Sequence, residues 1–309
     1  MLLTPIKPKA VLALNLTPSF LKYTSVTARL GLNNTKRSYT TSENQRSNTQ
    51  QDNVKYTHFG FQNIPETYKE KLVKNVFSNV ASKYDVMNDV MSAGIHRLWK
   101  DHFIRKMAPV PGTRLLDMAG GTGDIAERFL DYTKRKHNDT TSKVHLVDIN
   151  PEMLEEGKKR FMGSQFYSND QIKFGLGNAE NLDFIEPNTY DVYTIAFGIR
   201  NCTHIDAVVR EAYRVLKPGG CFMCLEFSKV DTPFISELYN VFSFNIIPEL
   251  GRLIANDGDS YKYLVESIRK FPSQEDFASI IRDSGFTTFG SGYENLSFGI
   301  AAIHTGYKL

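Results

Sequence analysis

Cysteine is scarce in this chain of 309 residues: Cys202, Cys221 and Cys224 are too few for a disulfide framework. Cys221 and Cys224 have the C-x-x-C spacing of a metal pair. In a strand, however, positions i and i+3 point to opposite faces, and no second Cys or His pair lies nearby, so no metal is expected. Long apolar runs are missing too. None approaches the roughly 18 to 20 residues that span a bilayer, which leaves only peripheral contact with a membrane. The body of the chain also lacks a dense stripe of Lys and Arg, which removes the compositional case for a nucleic-acid partner.

Acidic residues are absent from the first 42 positions, where Lys7, Lys9, Lys22, Arg29, Lys36 and Arg37 stand among Leu, Val, Phe, Ser and Thr. A removable amphipathic mitochondrial presequence requires that composition; a disordered basic tail is the plainer alternative. Arg37-Ser38-Tyr39 reads as a processing site, and cleavage after Tyr39 would remove six cations and turn the formal net charge from +3 to −3. The basic character therefore belongs to the address. A polar stretch, nearly free of aliphatic residues, follows to residue 56 and reads as a flexible linker.

The chain as a whole has an ordinary globular composition, 41% apolar, enough to bury a full core. From Pro65 to Met107 the pattern is helical: Leu72, Val73, Val76 and Phe77 share one face, and a second helix carries Leu98, Trp99, Phe103 and Ile104. From Thr113 the apolar runs TRLLDM, KVHLVDI, QIKFGL, YDVYTIAF and GCFMCLEF alternate with helical segments. One helix opens at Asn150-Pro151, and another carries the stripe Ile205, Val208, Val209, Ala212 and Leu216. The expected fold is an α/β, Rossmann-like, doubly wound and mostly parallel sheet. Residues 234 to 271 hold seven aromatics and either cover an apolar site or pack on the sheet. Ser273 caps a short helix, and FTTFGSG and SFGIAAIHTGYK form a closing hairpin with an antiparallel C-terminal strand.

Residues 115 to 124, LLDMAGGTGD, run a buried strand into a glycine-rich turn and a helix. Dinucleotides and S-adenosylmethionine both bind such turns, and G-T-G-D-I-A from Gly121 satisfies the permissive dinucleotide fingerprint. Local charge separates them. Asp117 and Asp124 would repel a pyrophosphate, whereas the sulfonium and amino group of S-adenosylmethionine are cationic. The methyl donor is favoured, held by Asp117, Gly120, Gly121, Thr122 and Gly123. Asp148 ends the second strand, placed to accept both ribose hydroxyls, with helix capping as the alternative; Asn150 can already cap that helix. Asn178 and Ala179 follow the third strand, where amides and small side chains can read an adenine edge. Ile149 and Ala196 complete the expected donor pocket.

The stretches YDVMNDVMSAGIHRLWK (84 to 100), DMAGGTGD (117 to 124), GNAENLDF (177 to 184), AFGIRN (196 to 201), RVLKPGGCFMCLEFS (214 to 228) and ESIRKFPSQEDF (266 to 277) resemble the ubiquinone/menaquinone C-methyltransferase family. The likeness runs from about residue 57 to the end. Ala196 departs from members that carry a serine there. The resemblance implies a class I S-adenosylmethionine-dependent methyltransferase acting on a ring carbon of a polyprenylated benzoquinol, without a metal. Ring carbon becomes nucleophilic only when a flanking phenol loses its proton, so a base and a phenolate stabiliser are needed. Arg200 is the expected stabiliser, Asn201 a ligand for a quinol oxygen, Asp85 and His96 candidate bases, and Tyr84 and Asn88 lid residues that touch substrate. The resemblance further implies a homodimer within a multi-subunit assembly on the matrix face of the mitochondrial inner membrane. The domain plan is then presequence 1–39, linker 40–56 and methyltransferase domain 57–309. That domain divides into a helical cap (57–107), a donor-binding core (113–227), a substrate-side insertion (228–272) and a closing helix and hairpin (273–309). A dinucleotide-dependent oxidoreductase and a non-catalytic scaffold are the competing readings.

Overall fold

The computed structural model describes residues 54–230, 232–255 and 257–309, so the expected presequence and most of the linker lie outside the described residues. The described chain opens on a hairpin that periodicity missed, β1 (Tyr56–Phe59) and β2 (Gln62–Pro65), antiparallel and turned at Gly60. Three helices follow: α1 (Glu66–Val80), α2 (Tyr84–Ser92) and α3 (His96–Met107). The α1 stripe is as expected, with Val73, Val76 and Val80 buried. Leu98 is a correction: it is 66% exposed, because α3 turns Trp99, Phe103 and Ile104 to the core and leaves Leu98 outside their arc.

Alternation then begins. β3 (Arg114–Met118), α4 (Asp124–His137), β4 (Lys143–Asp148), α5 (Pro151–Phe161), the single-turn α6 (Gln165–Ser168), β5 (Ile172–Leu176), β6 (Tyr190–Ala196), α7 (Ile205–Val215) and β7 (Leu216–Phe227) follow in order. Asn150 caps α5 by accepting the Met153 N–H (3.0 Å), with Pro151 at the first helical position. The stripe on α7 is buried at Val208, Val209, Ala212 and Val215, but Leu216 has already entered β7, which is bulged against β6 between Leu216 and Cys221.

Among the described residues the sheet has seven strands in the order β5-β4-β3-β6-β7-β9-β8. β5, β4, β3, β6 and β7 are parallel; β9 (Ala301–Tyr307) runs antiparallel to β7 and pairs with β8 (Tyr293–Leu296) at the edge. The closing hairpin therefore starts later than FTTFGSG, which contributes only an isolated bridge at Thr287. The order reverses between β3 and β6, and a doubly wound sheet opens a crevice beyond the strand ends at such a reversal.

Period-two alternation divides the core into two layers. Leu115, Met223, Leu225 and Phe227 face one layer, while Leu116, Met118, Phe222 and Cys224 face the other. Cys221 packs on the first layer and Cys224 on the second, so the C-x-x-C thiols do point apart. The insertion is helical: α8 (Pro233–Val241), a π turn at Phe242–Ile246, α9 (Ile247–Ala255) and α10 (Gly258–Lys270). Last comes α11 (Gln274–Asp283), capped by Ser273 as expected. No described helix is long and apolar enough to cross a membrane.

Candidate active site

At the reversal, the chain leaves β3 through Ala119 (φ 51°) and β6 through Phe197 (φ 57°), both in the left-handed region. Non-glycine residues pay steric strain there, and such strain gathers at functional sites. Between these exits lies a cavity of about 360 Å³, lined by Asp148, Ile149, Asn178, Ala179, Phe197, Asn201 and one face of α1. A second recess of about 20 Å³ lies under the glycine turn, walled by Asp117, Gly120, Gly121, Thr122 and Ala196. Tyr84, Ala119 and Phe197 border both.

The turn is built for close approach. A Cβ on Gly120 would lie 2.7 Å from Leu146 and 3.0 Å from the Asp117 carboxylate. Gly121 (φ 53°) donates its N–H to Asp148 Oδ2 (2.9 Å), while Asp148 Oδ1 accepts from the Asn150 N–H (2.8 Å). Each Asp148 oxygen thus takes one backbone donor and keeps further acceptor capacity toward the cavity. Burial pushes this carboxyl up to about 6, against the backbone donors that favour its charge. Gly123 lines neither recess; it sits at the start of α4, packed against Phe161.

The two loop carboxylates part company. Asp117 is buried with Oδ1 accepting from Thr194 Oγ1 (2.8 Å), its Oδ2 has no partner, and burial raises it to about 7. Asp124 opposes burial with two cations: Lys100 Nζ donates to Oδ2 (2.7 Å) and Arg128 Nε to Oδ1 (2.8 Å), holding it at about 2. The expectation that both would attract a cationic donor is corrected. Asp124 is already neutralised, and Asp117 alone offers an unpaired acid, which fits an amino group bound beside Gly120. With Asp148 beyond it, the recess and cavity suit the methionine and adenosine ends of S-adenosylmethionine.

The acceptor candidates are less uniform. Asn201 lines the cavity, and its Oδ1 accepts from the Tyr263 hydroxyl (3.0 Å) of α10, which in turn stacks on Phe59 of the hairpin (ring centroids 4.1 Å). Asn88 is buried beside Tyr84 with its amide nitrogen unpartnered. Neither candidate base reaches the cavity wall. Asp85 is ion-paired with Arg160, and His96 Nε2 lies 2.9 Å from Asp89 Oδ1, with its pKa lowered by burial. Arg200 is also set back: it is 4% exposed, with Nη1 donating to the Phe197 carbonyl (2.6 Å) and to Glu226 Oε1 (2.6 Å), and Nε donating to Ser267 Oγ (3.2 Å). Arg200 lines neither recess, and its Nε and Nη1 are committed within the protein.

The model of the ubiE/COQ5 methyltransferase family matches residues 65–308. The chain belongs to this family. It is 56% identical over 257 residues to the mitochondrial 2-methoxy-6-polyprenyl-1,4-benzoquinol methylase of Schizosaccharomyces pombe, covering 82% of this chain and 84% of that protein. The methylase of the same name from Dictyostelium discoideum is 50% identical, covering 93% and 96%. The human one is 49% identical, covering 84% and 87%. Among solved structures, a chain from the complex of the Haloferax volcanii Trm112 methyltransferase activator with a methyltransferase has a TM-score of 0.52 at 15% identity, covering 76% of this chain and 97% of that one. The cyclase SpnF has a TM-score of 0.51 at 15% identity, covering 77% and 96%. Those likenesses show the fold, and a cyclase among them shows why fold alone does not settle chemistry. Family membership does: this chain is an S-adenosylmethionine-dependent methyltransferase.

Several neighbours escaped sequence reasoning. Glu226 is a single charge in the otherwise apolar run GCFMCLEF, and only that isolation marked it, while Lys100 stands among other charges of α3 and carried no such signal. Glu180 accepts from the Thr203 N–H (2.6 Å) and pairs with His204, 2.8 Å from Nδ1, and all three line the cavity. From α1, Glu66, Thr67, Glu70 and Lys74 line the cavity, though their spacing reads only as a polar helix face.

Proposed function

We propose that this chain transfers a methyl group from S-adenosylmethionine to a ring carbon of 2-methoxy-6-polyprenyl-1,4-benzoquinol. One observation carries the reading: relatives about 50% identical over most of both chains bear that reaction in their names. The site supports it. Bound S-adenosylmethionine supplies an electrophilic methyl. The protein's part is to hold donor and quinol together, keep water from the methyl and stabilise the phenolate that activates the ring. Asp148 accepts from the ribose, Asn178 and Ala179 border the adenine, and Asp117 faces the amino group. Arg200, next to Asn201 of the cavity wall, stabilises the developing phenolate. Asn201, oriented by Tyr263, holds a quinol oxygen. Tyr84, which borders both recesses, stands between donor and acceptor, with Asn88 buried behind it. Asp85 and His96 are engaged elsewhere, so the phenol proton leaves to water.

The same reading places the protein on the matrix face of the inner mitochondrial membrane, as a homodimer within a multi-subunit assembly. Supporting it are the relatives' mitochondrial names, the acid-free N-terminus and the exposed Phe234, Val241, Phe244, Ile246 and Leu253 of the insertion. The test is transfer of labelled methyl from S-adenosylmethionine to a prenylated benzoquinol. Incorporation at a ring carbon is expected. Tight donor binding with no incorporation would overturn the substrate, and saturable NADH binding in place of donor binding would overturn the reaction.

A further inference from the structure

Glu226 lies on β7 directly behind Arg200 and is 1% exposed. Its Oε1 accepts from Arg200 Nη1 (2.6 Å) and from the Phe227 N–H (2.9 Å), and its Oε2 faces the Arg200 N–H at 3.4 Å. With Phe197 and Ser267 as further partners, the Nε and Nη1 edges of the guanidinium are committed within the protein. Its carbon sits 5.5 Å over the Phe227 ring, which fixes the plane. Among the described residues Nη2 has no hydrogen-bond partner, so one edge is left to meet an acceptor.

We propose that Glu226 is the positioning residue of the phenolate stabiliser, fixing which edge of Arg200 meets the acceptor and how much of its charge the acceptor feels. The inference rests on the methyl transfer to a quinol proposed above. Because the pair is buried, Glu226 opposes Arg200 at close range and moderates its pull on the phenol; stability alone would not require it, since buried pairs are frequently replaceable by apolar residues. The other titratable groups around the pair are Tyr84 of α2, Tyr239 of α8, Tyr263 of α10, and Cys202 and Cys224 at the strand ends. Burial raises every one of them, so they stay neutral across the working range. The other charged groups on this side are Lys69, which donates to the Cys202 carbonyl, and Glu66, Glu70, Lys74 and Glu180 of the cavity wall, with Asp148 on the donor side; among the described residues Arg200 hydrogen-bonds to Glu226 and to none of these.

Two variants separate aim from charge. Glu226→Asp keeps the charge and shortens the reach, so kcat should fall about 10-fold or more with the rising limb of the pH profile unmoved. Glu226→Gln removes the charge, so kcat should fall while that limb moves to lower pH by about one unit, because the phenol then feels an unopposed guanidinium. Donor affinity should stay within about 2-fold in both, which also reports folding. In an Arg200→Met background, Glu226→Gln should change kcat by less than about 2-fold, since it acts through Arg200. Wild-type kcat and an unmoved limb in Glu226→Gln, an equal loss in both backgrounds, or loss of donor binding in both variants would overturn the inference and make the pair structural. Failure of the wild type itself to methylate a benzoquinol would overturn the proposed function, and this inference with it.

Discussion

Asp148 and Arg200 are separable by experiment because the proposed reaction assigns them to opposite ends, donor and acceptor. Removing an acceptor of charge-assisted hydrogen bonds costs roughly 1.5 to 3 kcal/mol, so Asp148→Ala should weaken donor binding by about 10- to 150-fold in a calorimetric titration. Part of that loss belongs to the turn, since Asp148 also accepts from Gly121 and Asn150. Arg200→Ala should leave donor affinity near normal while lowering kcat by about 100-fold or more, because the charge it meets develops only as the phenol ionises. Loss of donor binding with unchanged kcat at saturation would place Arg200 in the donor pocket instead. Asp148 was legible because its placement after a strand, with a separate cap at Asn150, implies a free carboxylate. The pairing of Arg200 with Glu226, or of Lys100 with Asp124, was not. Those partners are 26 and 24 residues apart, and only strand register and the docking of α3 on α4 bring them together.

Elements were legible in proportion to their length and periodicity. The five parallel strands and the helices capped by Asn150 and Ser273 carry their own signals, alternation in one case and side-chain acceptors in the other. The hairpin of β1 and β2 carries neither: each strand is four residues long and mixes polar with apolar side chains without a buried face. It matters because it delivers α1 to the wall of the donor cavity. Lys69, fully buried on α1, donates from Nζ to the Cys202 carbonyl (2.9 Å) and pins the helix to the loop after Asn201. Lys69→Met should keep the bulk but leave that carbonyl unpaired, at a cost of about 1 to 3 kcal/mol. The expected outcome is faster amide exchange along α1 and faster donor dissociation, with β3 and β4 amides unchanged. Equal protection of α1 in both proteins would show that hydrophobic packing alone holds it.

For the molecule as a whole, buried acids and buried histidines pull the pH dependence of stability in opposite directions. Burial raises Asp148 to about 6 and Asp117 to about 7, so the folded chain holds protons that the unfolded chain releases from near 3.8 upward. Their contribution is fully present below that value and is lost as pH rises through the folded values. Burial also lowers His58, His145 and His304 to about 4, so between about 4 and 6.5 the unfolded chain binds protons that the folded one does not, and stability rises with pH. With a slope of at most about 1.4 kcal/mol per pH unit per group, the three histidines outweigh the two acids, so Tm of the free protein should rise from pH 5 to 6.5, the acids offsetting only part of the histidines' slope. The donor removes that offset. A cationic amino group and ribose hydroxyls favour ionised Asp117 and Asp148, so binding should release protons near pH 6 and remove the acids' slope while the histidines keep theirs. The rise in Tm on adding S-adenosylmethionine should therefore grow between pH 5 and 7, and binding heats at pH 6 should vary with the ionisation enthalpy of the buffer. A Tm gain independent of pH, together with buffer-independent heats, would mean that neither carboxyl changes its protonation when the donor binds.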